Sequence, residues 1–294
     1  MNIYSQITSN KWKTWVIMTL FVVFITVAVY VYGQAAGYGL SFVGFALILS
    51  GFMSFTSFYY SDQIVLGMSG AKQIQKKHNP RLFRMVENLC IAAGLPLPKI
   101  YILNDSAPNA FATGRDPKHS VVCVTTGLLD KLSDAELEGV LAHELSHIGN
   151  YDIRVMGVVT ILVGLIALLA DFFMRSMWFS GNDRESKNNQ VFIVVGIVFA
   201  ILSPIIATLI QLSVSRKREF LADASGALLT RYPEGLANAL EKIAKDKEPL
   251  EAANNATAHL YISNPFKHGA KHLFSGLFNT HPPIEERIKI LRSM

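Results

Sequence analysis

From Thr14 to Ser61 the chain carries no charged side chain. A stretch of that length is too long for one buried helix and fits two passages of a bilayer, each of which takes about 20 apolar residues. Thr14 to Tyr32 and Leu40 to Phe58 read as the two spans, with a turn at Gln34 to Gly39. A cleavable signal sequence is the rival for the first run. Its apolar core would be shorter, about 7–15 residues, and a second run follows at once, so an uncleaved hairpin is expected. Tyr30, Tyr32, Tyr38, Tyr59 and Tyr60 fall near the expected interfaces, where aromatic belts form. The composition agrees: 51% of the 294 residues are hydrophobic and only 17% are charged.

Two further apolar runs follow, about Val155 to Ala170 and Val191 to Val214, the latter with Pro204 as an expected kink. The third run is short enough to serve instead as a buried soluble helix. Lys11 and Lys13, the basic segment from Lys72 to Arg84, Arg154, and Arg216 to Arg218 all fall on one side of a four-span arrangement. The positive-inside rule then puts both termini and the central region in the cytoplasm. The formal net charge of +5 is read as loop charge that sets topology and faces anionic lipid. No Arg/Lys stripe interleaved with aromatics suggests a nucleic-acid partner. Cys90 and Cys123 lie in no metal-ligand spacing and are expected as buried free thiols.

The chemistry centres on His143-Glu144-Leu145-Ser146-His147. Residues four apart share a helix face, so two imidazoles can meet one metal ion, with Glu144 beside it to take a proton from bound water. Ser133 with Glu136 is a capping box, and Leu137, Val140, Leu141, Leu145 and Ile148 form an apolar stripe at helical spacing. These predict a capped, half-buried helix that aims the histidines from another face. Before it, an amphipathic helix opens at Asn79-Pro80, and strand-like runs cover Lys99 to Leu103, Asn109 to Thr113 and Ser120 to Thr125, a small sheet.

Catalytic zinc commonly takes three protein ligands and keeps a fourth position open. The other histidines and any carboxylate on a nearby helix are candidates for the third. Glu219 is favoured, because Glu219 and Asp223 are four apart and share a face. One carboxylate can ligate while the other accepts the outer N–H of a ligating imidazole. His259, His268 and His272 fall in a stretch, Glu248 to Phe274, that lacks periodicity and is expected as a long surface loop; they are taken as non-ligands. His78 and His119 are expected at the surface.

With these motifs in place, the chain resembles the HtpX-type membrane zinc endopeptidases, relatives of the CaaX prenyl endopeptidase. The resemblance covers nearly the whole chain: the N-terminal apolar pair, Pro108 to Gly114, His143 to Asp152, Glu219 to Asp223, and His281-Pro282-Pro283 through Arg287. It implies a mainly α multi-span membrane protein with a small β-sheet and a gluzincin-like protease domain. It implies one zinc ion per chain on His143, His147 and Glu219, with Glu144 as base and Asp223 as outer carboxylate. Asn109, Ala110, Phe111 and Ala112 would border the cleft and pair with extended substrate, and His281 and Arg287 would lie near the substrate carbonyl. Residues 1–61 are then a transmembrane hairpin, 62–154 the first part of the protease domain, 155–214 a second transmembrane pair, and 215–294 the second part with the third ligand.

The sequence itself names no substrates; the resemblance implies cleavage of cytoplasmic segments of misfolded or damaged membrane proteins in the bacterial inner membrane. An intramembrane or prenyl-protein processing protease is one alternative. Asp134, Glu136 and Glu138 precede His143 on its helix and place it in water or at the interface. A non-catalytic membrane scaffold is the other, and it has no use for a base beside a metal. The oligomeric state is not legible.

Overall fold

The computed structural model describes residues 3–36, 41–179, 216–253, 257–265 and 282–294. The fourth apolar run, Val191 to Val214, lies outside them, as do His268, His272 and His281.

Helix α1 (Ile3–Ala36) and helix α2 (Ser41–Tyr59) pack side by side as the expected hairpin. A bend of 77° then leads into the short α3 (Ser61–Ser69). Ile17, Met18, Phe21 and Ile25 of α1 pack on Val155, Val158, Val159 and Leu162 of α7 (Asp152–Phe179). Elsewhere the hairpin exposes Leu20, Val23, Val27, Ile48, Phe52 and Phe55, a surface that water would penalise and lipid would not. Among the described residues, Ile7–Tyr30 is the one helical stretch that by itself has the length and hydropathy of a span.

The sheet has the order β1-β2-β4-β3, with β1 (Lys72–Gln73), β2 (Lys99–Leu103), β3 (Ala110–Gly114) and β4 (Ser120–Thr125). Strands β2 and β4 run parallel; β1 against β2 and β3 against β4 are antiparallel. β4 is apolar at successive positions because both its faces are covered. Val122 and Val124 face α4 (Pro80–Ala93), α6 (Asp134–Gly149) and α9 (Pro233–Lys245). Val121 and Cys123 face Val65, Met156, Leu260 and Tyr261. Both cysteines are free and buried. The short α5 (Thr126–Lys131) links β4 to α6, α8 (Arg216–Thr230) crosses α6, and α10 (Ile284–Leu291) closes the chain on α8 and α9.

One expectation is overturned. The Glu248 to Phe274 stretch is no free surface loop where it is described: Leu250, Ala258, His259, Leu260, Tyr261 and Ile262 are all buried. Tyr261 stands edge-on to Phe111 with ring centroids 5.2 Å apart, and Ile262 N–H donates to the Ala110 carbonyl at 3.0 Å. An irregular segment that fills the face of a sheet leaves no period in the sequence, so its burial is invisible to pattern reading.

Candidate metal centre

Helix α6 starts as its capping box requires, with Glu136 accepting from the Ser133 N–H at 2.8 Å. Its apolar stripe, Leu137, Val140, Leu141, Leu145 and Ile148, is buried in the main core. That seating leaves His143 and His147 on a different face, stacked one turn apart with rings nearly perpendicular and centroids 4.7 Å apart. Helix α8 reaches them because it carries glycine at the crossing. A Cβ on Gly226 would stand 3.1 Å from the His143 backbone nitrogen.

The close crossing brings Glu219 to the histidines, and all three are buried. The Nε2 atoms of His143 and His147 are 3.2 Å apart; Glu219 oxygens lie 3.8 Å from the first and 3.5 Å from the second. Ligands of a tetrahedral zinc at about 2.0–2.1 Å are about 3.3 Å from one another. The donor set and its spacing therefore fit such an ion.

Each imidazole has a carboxylate behind it. His143 Nδ1 lies 2.9 Å from Asp223 Oδ1, and His147 Nδ1 lies 3.0 Å from Asp152 Oδ2. Outer partners of this kind fix the tautomer and leave Nε2 free for a metal. Asp223 is itself held by Arg287, whose Nε and Nη2 donate to its two oxygens at 2.8 and 2.7 Å. Burial alone would raise the Asp223 carboxyl, but the Arg287 charge and the His143 contact hold it below the usual range. Burial lowers the His143 imidazole. The His147 imidazole would also fall with burial, yet the Asp152 hydrogen bond and the charges of Glu219 and Asp152 raise it to about 9. A dication at the three ligand atoms would displace a proton from His147 Nε2 and leave the Nδ1 atoms on their carboxylates.

Glu144 is buried next to its neighbour ligand and accepts from the Ala112 N–H. Burial, with the negative charge of Glu219 adding to it, pushes its carboxyl up to about 7. A carboxyl near neutrality can both take and give a proton. Strand β3 is the sheet edge beside it, and Asn109 through Ala112 line that edge. The edge carries a segment of the same chain: besides the Ile262 bond, Asn109 Nδ2 donates to the Ser263 carbonyl at 3.3 Å.

Arg287 is 0% exposed: it clamps Asp223, donates to the Ile262 carbonyl at 3.2 Å, and stands with Nη1 3.4 Å from Glu219 Oε2. His259 is buried, with Nε2 at 3.1 Å from Thr160 Oγ1, and does not join the ligand group. Sequence reasoning missed Asp152. Its signal was a lone carboxylate five residues past His147, at the break between two helices.

Comparison with known proteins agrees with this geometry. The model of peptidase family M48 matches residues 76–294. The chain is 48% identical over 293 residues to a protease HtpX homolog of Dictyoglomus thermophilum, covering 99% of this chain and 94% of that one. It is 47% identical to the protease HtpX homolog of Tropheryma whipplei strain Twist, covering 99% and 98%. The crystal structure of S. mikatae Ste24p shares the fold at a TM-score of 0.50 and 19% identity, over 95% of this chain and 66% of that one. Three buried side chains that could hold a metal, with a buried carboxyl beside them, on a chain this similar to proteases over 99% of its length, make it a metalloprotease, and the chain belongs to peptidase family M48.

Proposed function

We propose that this membrane protease is a zinc-dependent endopeptidase of the bacterial inner membrane that cuts cytoplasmic segments of misfolded or damaged membrane proteins. The observation that carries the reading is the convergence of His143, His147 and Glu219 with Glu144 alongside. His143, His147 and Glu219 would hold the ion, with Asp223 and Asp152 behind the two imidazoles. Bound zinc supplies Lewis acidity toward the scissile carbonyl and acidifies water. Glu144 takes the proton of the attacking water and hands it to the leaving amine.

Substrate pairs as a strand with Asn109 to Ala112, as extended peptides add to sheet edges, where backbone bonds serve many sequences alike. The Ile262 N–H on the Ala110 carbonyl supports this mode, because a backbone donor of the chain itself pairs at that edge. Residues 62–154 and 215–294 act together as the proteolytic unit around two membrane pairs, 1–61 and 155–214, with the active site and both termini in the cytoplasm.

Sealed inside-out membrane vesicles carrying the protein should cut added casein when supplied with zinc, and right-side-out vesicles should not. Glu144→Ala should keep about one zinc per chain and lose cleavage by about 10²–10⁴-fold, the usual contribution of a positioned acid–base group. Wild-type cleavage by Glu144→Ala would overturn the mechanism, and cleavage only by right-side-out vesicles would overturn the orientation.

A further inference from the structure

Asn10 stands at the start of the first apolar helix, where a polar side chain needs a reason to be buried. It is 1% exposed, and its surroundings are as dry: Asp152 is 2%, Arg218 5% and His147 5% exposed. Its amide nitrogen donates to the Asn150 carbonyl at 2.9 Å and to Asp152 Oδ1 at 2.8 Å. Its amide oxygen lies 3.4 Å from Arg218 Nη1, which also donates to Asp152 Oδ1 at 3.2 Å. The second oxygen of Asp152 meets His147 Nδ1 at 3.0 Å.

These contacts form one continuous path from a membrane helix to a metal ligand. Asp152 has two oxygens and one orientation to choose. Asn10 and Arg218 hold Oδ1, and this turns Oδ2 toward the imidazole. The same amide grips the backbone at Asn150, the residue that ends α6. Tyr151, next in the chain, has φ of 59°, a left-handed turn that swings the chain by 83° from α6 into α7. The Asn10 side chain bridges the two sides of that turn. An amide suits the place because it donates to a carboxylate and a carbonyl without adding charge to a buried site.

We propose that Asn10 is a positioning residue for His147, so that the first membrane helix is a working part of the metal centre as well as an anchor. This rests on the reading of His147 as a ligand. The partners behind a ligating histidine are commonly worth 10–100-fold in metal affinity. Asn10 acts one bond further out and shares Asp152 with Arg218, which sets the expected effect at about tenfold.

The test uses the full-length chain in detergent and reads zinc directly, by competition with a fluorescent chelator and by the rate of zinc release to excess chelator. Asn10→Ala should weaken zinc about tenfold and speed its release by a similar factor. Asn10→Asp, which keeps the shape but sets an acceptor against Asp152, should do the same or worse. Asn10→Gln, which restores an amide, should recover part of the loss. With zinc saturating, kcat on a fluorogenic peptide should fall while KM holds, since the edge that binds peptide is untouched. Thr26→Ala, on the same helix with a hydroxyl that donates to the backbone carbonyl of Val22, should leave zinc unchanged. Wild-type zinc affinity and release in both Asn10→Ala and Asn10→Asp would overturn the proposal, as would equal weakening by Thr26→Ala. His147→Ala is measured in parallel. Full zinc binding there would show instead that the ligand reading itself is wrong.

Discussion

The two histidines of the centre are built alike and supported differently. His143 leans on Asp223, and Asp223 is clamped by Arg287 from α10, a support that involves neither α1 nor α7. His147 leans on Asp152, which opens α7 and is steadied by Asn10 of α1 and Arg218 of α8. One arm is a bidentate ion pair with both charges sealed from water. The other is a junction of three helices, two of which continue as long apolar helices. The comparison teaches that one side of the candidate metal site is supported from within the folded core, and the other is braced by residues at the ends of long apolar helices.

Glu219 belongs to both sides, since its oxygens approach both imidazoles. Its removal should therefore have the largest effect. Glu219→Gln should weaken zinc by more than the 10–100-fold typical of an outer partner and abolish casein cleavage. A variant that still binds one zinc tightly would remove the shared ligand from the comparison.

The two outer carboxylates come next, measured as a pair. Asp223→Ala should cost zinc affinity about 10–100-fold and stability about 3 kcal/mol, because it removes the bidentate partner of the buried Arg287 guanidinium. Asp152→Asn should cost similar affinity by a different route. Its amide presents a donor to His147 Nδ1, favouring the tautomer that occupies Nε2 with a proton. Chelator competition and urea unfolding of the metal-free chains separate affinity from stability. If Asp152→Asn responds to the lipid around it and Asp223→Ala does not, the contrast between the arms sharpens. Equal lipid dependence would break it.

The smallest effect belongs to the far end of α6. Glu136 accepts from Lys242 at 2.7 Å, a pair open to water on the lysine side. Burial would raise the Glu136 carboxyl, but Lys242 and Ser133 together hold it below its usual value. A carboxylate depressed in the folded state stabilises above its unfolded pKa, and that contribution disappears as pH falls through the lower folded value. Lys242→Ala should therefore cost at most about 1 kcal/mol at neutral pH, and the difference from wild type should close in acid. Zinc affinity should not move, and a change there would mean that the two ends of α6 are coupled.

What could be read from the chain follows the range over which each signal acts. The capping box and the apolar stripe of α6 are local, and both strands at Lys99–Leu103 and Ser120–Thr125 were legible from their composition and turns. His143, His147 and Glu219 were legible because helical spacing converts directly into a shared face. Asn10 was not, since nothing near it in sequence says that a residue 142 positions away is its partner. In α4 it is Cys90 that joins Leu82, Val86 and Leu89 in the core, while Ile91, on the opposite side of the helix from Leu82, stands exposed. The pairing of Ile262 with Ala110 was invisible for a similar reason, because an added backbone is selected by its N–H and carbonyl groups, which every residue carries.

That pairing bears on which molecules the enzyme can attack. If substrate pairs with this edge as proposed, it must first evict Ile262, which is tethered to the same chain. A tethered competitor acts at an effective concentration on the order of millimolar. The apparent affinity for a client is then its intrinsic affinity scaled by the fraction of molecules in which Ile262 has withdrawn. A folded neighbour that frays for an instant supplies its backbone far below that concentration and loses the competition. On the proposed mode, a polypeptide held long beside the membrane with its strand edges bare would supply its own high local concentration and win. Discrimination between sound and damaged proteins can thus come from the duration of exposure, with no sequence to be read.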